Sequence, residues 1–525
     1  MHLIPIWAFR FCPSQDGPNH LSNAYIHRHY HDQEVPIFRQ FYLVNQRVVP
    51  TWFIHLILTG FMHFFPPLLM EKILLSGYIV LFPLAVRYAL RVISPDAGFL
   101  ALMAFPFVFN SMFNRGFSGF FYSLAAFFFV IGYWLKTREQ LSKRKIITLS
   151  FLFLLIYFLH VVSLVMIVVG IASLIIFQIT LSFFQDGTDR KLRFSSFCEI
   201  LKKRALPTFF AALPALSLAL LFFSPLLSRV REVTTTRYTA GVLVKRFFTL
   251  YALVSFDKKE MILTVAFVCL FVVVLGVVLL NKVKNRRWNR WDELLFLAFV
   301  YGLVFILTPE TVARGGSINT RVSLFPYFIL LLWFGGQTFK RTVRRVIPVV
   351  AVIISLVFLG MHTAKYAELN DYLDEYLSGM FLIKANTTLL PLSFSHHGRT
   401  PSGDSLSLEV KPFLHASGYI VIQRNIVDLA NYEAVRRNFP MVFRPHLNPY
   451  RYIGQIEAEP PRVDFLTYKE RTGKDVDYVL IWGMEIAELA DEEVKDIFRQ
   501  LDEGYTLVHT SSRRGLMRLY RRTDL

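Results

Sequence analysis

The stretch KRKIITLSFLFLLIYFLHVVSLVMIVVGIASLIIFQITLSFF, residues 143–184, holds no charged side chain after Lys145 and a single histidine, His160. One helix needs about 20 residues to cross roughly 30 Å of hydrocarbon. The apolar part is too long for one crossing and just long enough for two. Lys136, Arg138, Lys143, Arg144 and Lys145 precede it, and Arg190, Lys191, Arg193, Lys202, Lys203 and Arg204 follow. Lys and Arg gather in loops held on the cytoplasmic side of a membrane. Both ends therefore lie on that side, and the run reads as a hairpin that turns near His160 on the other face.

Working outward, the rest of the chain agrees. Of 525 residues 54% are hydrophobic and 18% are charged, where soluble domains carry about a quarter charged. Fifty-two Phe and 23 Tyr suit lipid-facing helices with aromatic belts. Further apolar runs stand at 51–65, 70–88, 96–113, 117–135, 206–226, 261–281, 294–308, 322–339 and 347–363. The fold class expected is an α-helical polytopic membrane protein of about ten or eleven spans plus juxtamembrane helices, ending in a small extracytoplasmic α/β domain. The net charge of +19 does not indicate a nucleic-acid partner, because the basic residues sit in short clusters between apolar runs. Cys12, Cys198 and Cys269 allow neither a disulfide framework nor a paired-cysteine metal site.

The same charge rule places 282–290 and 340–345 inside, and 227–259, the loop PETVARGGSINTR and everything after residue 364 outside. Arg87 and Arg91 are inside, so the chain before residue 70 is outside. TWFIHLILTGFMHFF, residues 51–65, then cannot cross. It is short, bounded by Pro50 and Pro66-Pro67, and carries His55 and His63, so it reads as an interfacial helix. An outer loop at 13–50 calls for a span before it. MHLIPIWAF is about half of one and a poor signal peptide, so a longer natural start is expected. The segment 227–259 mixes basic and aromatic residues and reads equally as a lid or an interfacial helix.

Domains are expected at 1–363, the membrane module, and 364–525, the extracytoplasmic domain. In the latter, TTLLPLSF, GYIVIQ, DYVLIWG, YTLVHT and LMRLYRR read as strands, and DEEVKDIFRQLDEG as an amphipathic helix capped by Asp491.

Several residues could carry chemistry. Asp16, in QDGPNHL, stands on a turn with His20 four residues on. A partly desolvated carboxylate above a membrane suits a general base, whereas Asp before Gly-Pro also suits a helix cap. His27, His29 and His31 would share a face only if extended. NHLSNAYIHRHYH looks more helical, which favours an interfacial segment. Arg115, Arg314 and Arg321 lie on the outer face, and guanidinium groups there suit a lipid-borne phosphate. The double glycine of VARGGSINTR lets backbone amides approach an anion. His160, at the hairpin turn, is either functional or bonded to a neighbouring helix.

This arrangement resembles the type C glycosyltransferase superfamily, polytopic enzymes that use polyprenyl-phosphate sugar donors. QDGPNHL stands where that family has its acidic motif, and 19–48 and 51–65 resemble its two juxtamembrane helices. VPTWFIHLILTGFMHFFPPLLMEKILLSGYIVLFPLAVRYAL is similar to its passage into the next span, and FVFNSMFNRGFSGFFYSLAAFFFVIGYWL to the following outer turn. The likeness covers roughly residues 1–365. It implies inverting transfer of a sugar to a glycan, lipid or protein acceptor of the envelope, at the outer face of the cytoplasmic membrane. Asp16 would be the base, and Arg115, Arg314 and Arg321 would stabilise the departing phosphate, with His20 and His160 as further substrate-binding candidates. The partners implied are the polyprenyl-linked sugar, the acceptor and membrane lipids. The resemblance fixes no cofactor and leaves a divalent metal open, since His20 could either orient Asp16 or hold a metal. A transporter or flippase, which would show paired halves, and a non-catalytic assembly protein of the same fold are the rival readings.

Overall fold

The computed structural model describes residues 1–185, 190–227, 235–286, 288–312, 315–436 and 438–525. Most of the chain is helical. Among the described residues seven helices are long and apolar enough to cross a membrane: Pro67–Ile93, Ser118–Thr137, Val161–Phe184, Phe194–Ser224, Glu260–Asn285, Ile318–Gly335 and Arg341–Leu382. Lys143–Leu159, with 17 residues, and Glu293–Leu307, with 15, are apolar but shorter.

The seven differ in what surrounds them. Ile318–Gly335 and Ser118–Thr137 are 83% and 78% buried within the protein and form its centre. Phe194–Ser224 and Glu260–Asn285 are only 28% and 33% buried, and expose Phe209, Phe210, Leu220, Leu221, Ile262, Val273 and Leu280. Contiguous apolar surface of this extent is rare on a water-facing monomer and is what a lipid-facing helix presents.

The hairpin breaks at His160, whose backbone is extended (φ −167°, ψ 127°) between helices ending at Leu159 and starting at Val161. Its two far ends meet: Arg204 donates to Gln178 Oε1 at 2.5 Å and also contacts Glu139. Around them Arg138 donates to Glu293 (2.5 Å), Asn289 to the Gly336 carbonyl (3.0 Å) and Arg344 to the Asp96 carbonyl (3.2 Å). The basic loops are thus gathered at one end of the bundle. Arg115, His160, Arg321 and the tail lie at the other.

Two stretches differ from expectation. The apolar run 96–113 is not one α-helix: Pro95–Phe107 forms a 3₁₀ helix containing Pro106, followed by a short turn of helix at Ser111–Asn114. Pro106 offers no N–H to the helical ladder, and the segment is instead wedged between Pro67–Ile93 and the Arg341–Tyr376 helix. Residues 19–48, expected as one juxtamembrane helix, are divided into Gly17–Arg28, Pro36–Phe41 and a strand at Tyr42–Val44. The strand pairs antiparallel with Met441–Phe443, Tyr42 opposite Phe443. Trp52–Phe61, ten residues, rises only about 15 Å and is too short to span.

The tail carries a five-stranded sheet of β1 (Thr388–Ser393), β2 (Val427–Asp428), β3 (Tyr478–Trp482), β4 (Tyr505–Thr510) and β5 (Met517–Arg522), in the order β4-β5-β3-β1-β2. β1 runs parallel to β2 and β3, with Leu389 opposite Tyr478, and β5 runs antiparallel to β3 and β4. The two central strands, β1 and β3, are buried along their whole length, which is why they read as unbroken apolar runs. Asp491 caps Glu492–Gly504, accepting from the Glu493 N–H at 2.8 Å. GYIVIQ, expected as a strand, is the helix Gly418–Arg424. Its β-branched residues are overruled by packing, because its first turn must fit against Pro18 in the front segment.

Candidate functional site

Asp16 occupies the cap position of Gly17–Arg28, yet its side chain caps nothing. Oδ2 accepts from the Tyr432 hydroxyl at 2.7 Å and Oδ1 from Gln15 Nε2 at 3.0 Å, while His415 Nε2 lies 3.7 Å from Oδ1. Its backbone N–H donates to the Arg115 carbonyl at 3.0 Å. Two glycines make this approach feasible. Gly116 has φ +79°, and a Cβ there would stand 2.5 Å from Gly17 N; a Cβ on Gly418 would stand 2.3 Å from the Pro18 carbonyl oxygen. The turn at Asp16 is therefore pinched between the outer turn of the bundle and the tail. Burial raises the Asp16 pKa above the usual aspartate value, opposed in part by the His20 charge and the bonds from Tyr432 and Gln15. The group is a stronger base than a solvated aspartate.

His20 does not bond Asp16. Its Nδ1 is set against Glu433 Oε1, and the Gly116 carbonyl is an acceptor for the ring. On the other oxygen of the same carboxylate, Oε2, stands His55 Nε2 at 3.1 Å, and the two imidazoles meet edge to face with centroids 5.2 Å apart. All three side chains are buried or nearly so, and their donor atoms lie within 4.8 Å of one another, so this trio is the group among the described residues able to hold a metal. Burial works to raise the Glu433 pKa, but the charges and hydrogen bonds of His20 and His55 overcome it and hold the carboxyl down at about 2. His415, stacked on Tyr432 with centroids 4.4 Å apart, is pushed down to about 3 by burial. It is neutral at pH 7.

The arginines are not equivalent. Arg115 donates to Ser317 Oγ at 2.7 Å and is paired with Glu409 of the tail, which also accepts from the Tyr251 hydroxyl at 2.6 Å. Arg246, in the helix Ala240–Phe248, donates to Thr320 Oγ1 at 2.8 Å and stacks between Tyr238 and Tyr251. Arg321 stands over the rings of Phe117 (4.7 Å) and Phe120 (5.5 Å). Its buried Nε has no hydrogen-bond partner among the described residues, and no carboxylate there forms an ion pair with it. Arg115, Glu310 and Asp16 are all within electrostatic reach of it. Arg314 lies outside the described residues. Of the double glycine, Gly315 gives its amide to the Val312 carbonyl at 3.0 Å and is not free for an anion.

His160 closes the start of its second helix, Nδ1 accepting from the Val162 N–H at 3.2 Å, with its ring edge-on to Phe120. It serves the turn of the hairpin and adjoins Arg321 through Phe120. His27 and His29 point to different partners, Thr59 and Asp32, as the helical reading expects. The segment 227–259 supplies a two-residue strand paired with Thr311–Val312 and then Ala240–Phe248; its residues 228–234 lie outside the described residues.

The structure thus brings Asp16, His20, Arg115, His160 and Arg321 to one end of the bundle. Glu433, Tyr432, His415 and Glu409 are additions that reading the sequence missed. All four come from the tail, where DLANYEAVRRN carries no spacing that marks a site, and only the fold brings them over the front segment. No family model matches the chain, and no curated protein matches it.

Proposed function

We propose that this chain is a membrane glycosyltransferase that moves a sugar from a polyprenyl-phosphate donor to an envelope glycan, lipid or protein, with inversion, at the outer face of the cytoplasmic membrane. On this reading Lys143–Leu159, Glu293–Leu307 and the 3₁₀ segment Pro95–Phe107 bring the seven long helices to ten crossings, the basic loops are cytoplasmic, and the tail is extracytoplasmic. The observation that carries it is the placing of a buried, basic carboxylate, Asp16, within reach of a guanidinium, Arg321, that forms no ion pair and whose Nε has no hydrogen-bond partner among the described residues. A partly buried guanidinium held in no ion pair has donors free for an anion from outside, and a phosphate takes them by charge-assisted hydrogen bonds.

The chemistry follows from this placement. Asp16 takes the proton of the acceptor hydroxyl as that oxygen bonds to the sugar carbon, and the bond from that carbon to the phosphate oxygen breaks on the opposite side. The electron pair leaves with the polyprenyl phosphate, whose charge Arg321 stabilises. Arg115, committed to Glu409 and Ser317, holds the tail over the site rather than the phosphate.

The test is transfer from a radiolabelled polyprenyl-phosphate sugar pool in membranes containing the protein. Asp16→Asn keeps the shape and removes the base, so transfer should fall by roughly 10²–10⁴-fold while the protein still accumulates. Transfer undiminished in Asp16→Asn would remove Asp16 from the reaction.

A further inference from the structure

We propose that His20, His55 and Glu433 bind one divalent transition-metal ion of the zinc class, which fastens the tail to the front segment beside Asp16. The inference stands apart from the sugar-transfer reading and would hold for a chain with any activity.

Three separate elements supply the donors. His20 is on Gly17–Arg28, His55 on Trp52–Phe61, and Glu433 opens the 3₁₀ turn Glu433–Val435 of the tail. The tautomer of His55 is fixed by its surroundings. Its Nδ1 lies 3.1 Å from the Thr51 carbonyl oxygen, which only accepts, so Nδ1 carries the hydrogen. In the neutral ring Nε2 then presents a lone pair to Glu433 Oε2, 3.1 Å away. A single positive charge, a proton or a metal ion, therefore belongs between those two atoms.

The second imidazole repeats the pattern. The His20 ring has the Gly116 carbonyl as an acceptor, and its Nδ1 stands directly against Glu433 Oε1. Both rings are thus steadied by a main-chain carbonyl, and each turns a nitrogen toward the same carboxylate. That is how metal-bound histidines are held. A single cation placed among the three donors would satisfy all of them.

Two imidazoles and a carboxylate suit zinc and its neighbours rather than calcium or magnesium, which prefer oxygen ligands. Three protein ligands leave a fourth position for water. Phe439 walls the trio, with its ring centroid 6.0 Å from His20 and 5.7 Å from His55, which keeps solvent from competing for the donors.

The experiment uses the full-length protein in detergent, stripped with chelator and titrated with Co²⁺. The expected result is a visible ligand-field spectrum that saturates at one ion per chain and is displaced by Zn²⁺. His55→Asn and Glu433→Gln should each weaken binding by at least about tenfold. The triple variant His27→Asn, His29→Asn, His31→Asn should bind as the parent does. Absence of a saturable spectrum in the parent protein overturns the proposal, however the variants fold. So does a spectrum that survives in both His55→Asn and Glu433→Gln, or one lost only in the triple variant, which would assign the ion to the HRHYH stretch.

Discussion

Two clusters stand side by side at the tail end of the bundle, and they are completed to different degrees. In the imidazole–carboxylate cluster, both oxygens of Glu433 face a ring from the front segment, and Tyr432 reaches Asp16 from 416 positions away. In the arginine cluster, Arg115 and Arg246 have bonded partners from the protein, whereas Arg321 lies on two phenyl faces and forms no ion pair among the described residues. The first cluster is a fastening, with every donor supplied by the chain itself. The second keeps one charge in reserve. A completed cluster should contribute chiefly to stability, and an incomplete one chiefly to binding.

The sharpest way to break this comparison is to delete one member of each. Glu433→Ala leaves two buried imidazoles without their carboxylate, and losing one partner of a buried ion pair costs about 3–5 kcal/mol. The tail should become protease-sensitive, and the unfolding midpoint in detergent should drop. Arg321→Met removes a charge held in no ion pair among the described residues, so the midpoint should hold or rise while sugar transfer falls by about 10²–10³-fold. Equal destabilisation by the two substitutions would erase the distinction.

Gly418→Ala tests the close approach beneath Asp16. The added methyl meets the Pro18 carbonyl, and forcing it in should cost about 1–3 kcal/mol. Gly403→Ala, where nothing lies within 4 Å but φ is +86°, should cost about 1 kcal/mol from backbone strain alone. Unfolding curves of the two variants separate crowding from conformation.

The most gradual effect is that of pH. The folded pKa of His415, about 3, is below the unfolded value of about 6.5, so the unfolded chain binds more protons between the two. Stability from this residue is complete above pH 6.5 and is lost as the pH falls toward 3, at no more than about 1.4 kcal/mol per pH unit. His415→Gln should flatten that part of the stability profile. An unchanged slope would mean that the ring is not kept neutral by its burial against Tyr432.

How much of this is legible in the sequence depends on whether the cause is local. The break at His160 is written in the length of one apolar run and the basic residues around it. The capped helix at Glu492–Gly504 is written in Asp491 and a period of 3.6. GYIVIQ misleads because its β-branched residues favour a strand in isolation, and the contact with Pro18 that decides otherwise lies 400 residues away. The site divides in the same way. Asp16 and Arg321 stand out as ionisable residues beside apolar runs, whereas Glu433 sits in an unremarkable stretch of the tail. His55 is visible on its helix, but nothing in the sequence says what it faces.

The ladder between Tyr42–Val44 and Met441–Phe443 has a consequence in time. Val44 meets its partner Met441 only after 397 more residues have been made, which takes about 20–80 s at about 5–20 residues per second. Through that interval the early strand is an open edge with unsatisfied amides. Assembly of the front of this protein is therefore timed by synthesis of its end, and a ribosome that stalls before residue 441 leaves behind helices with an unclosed front.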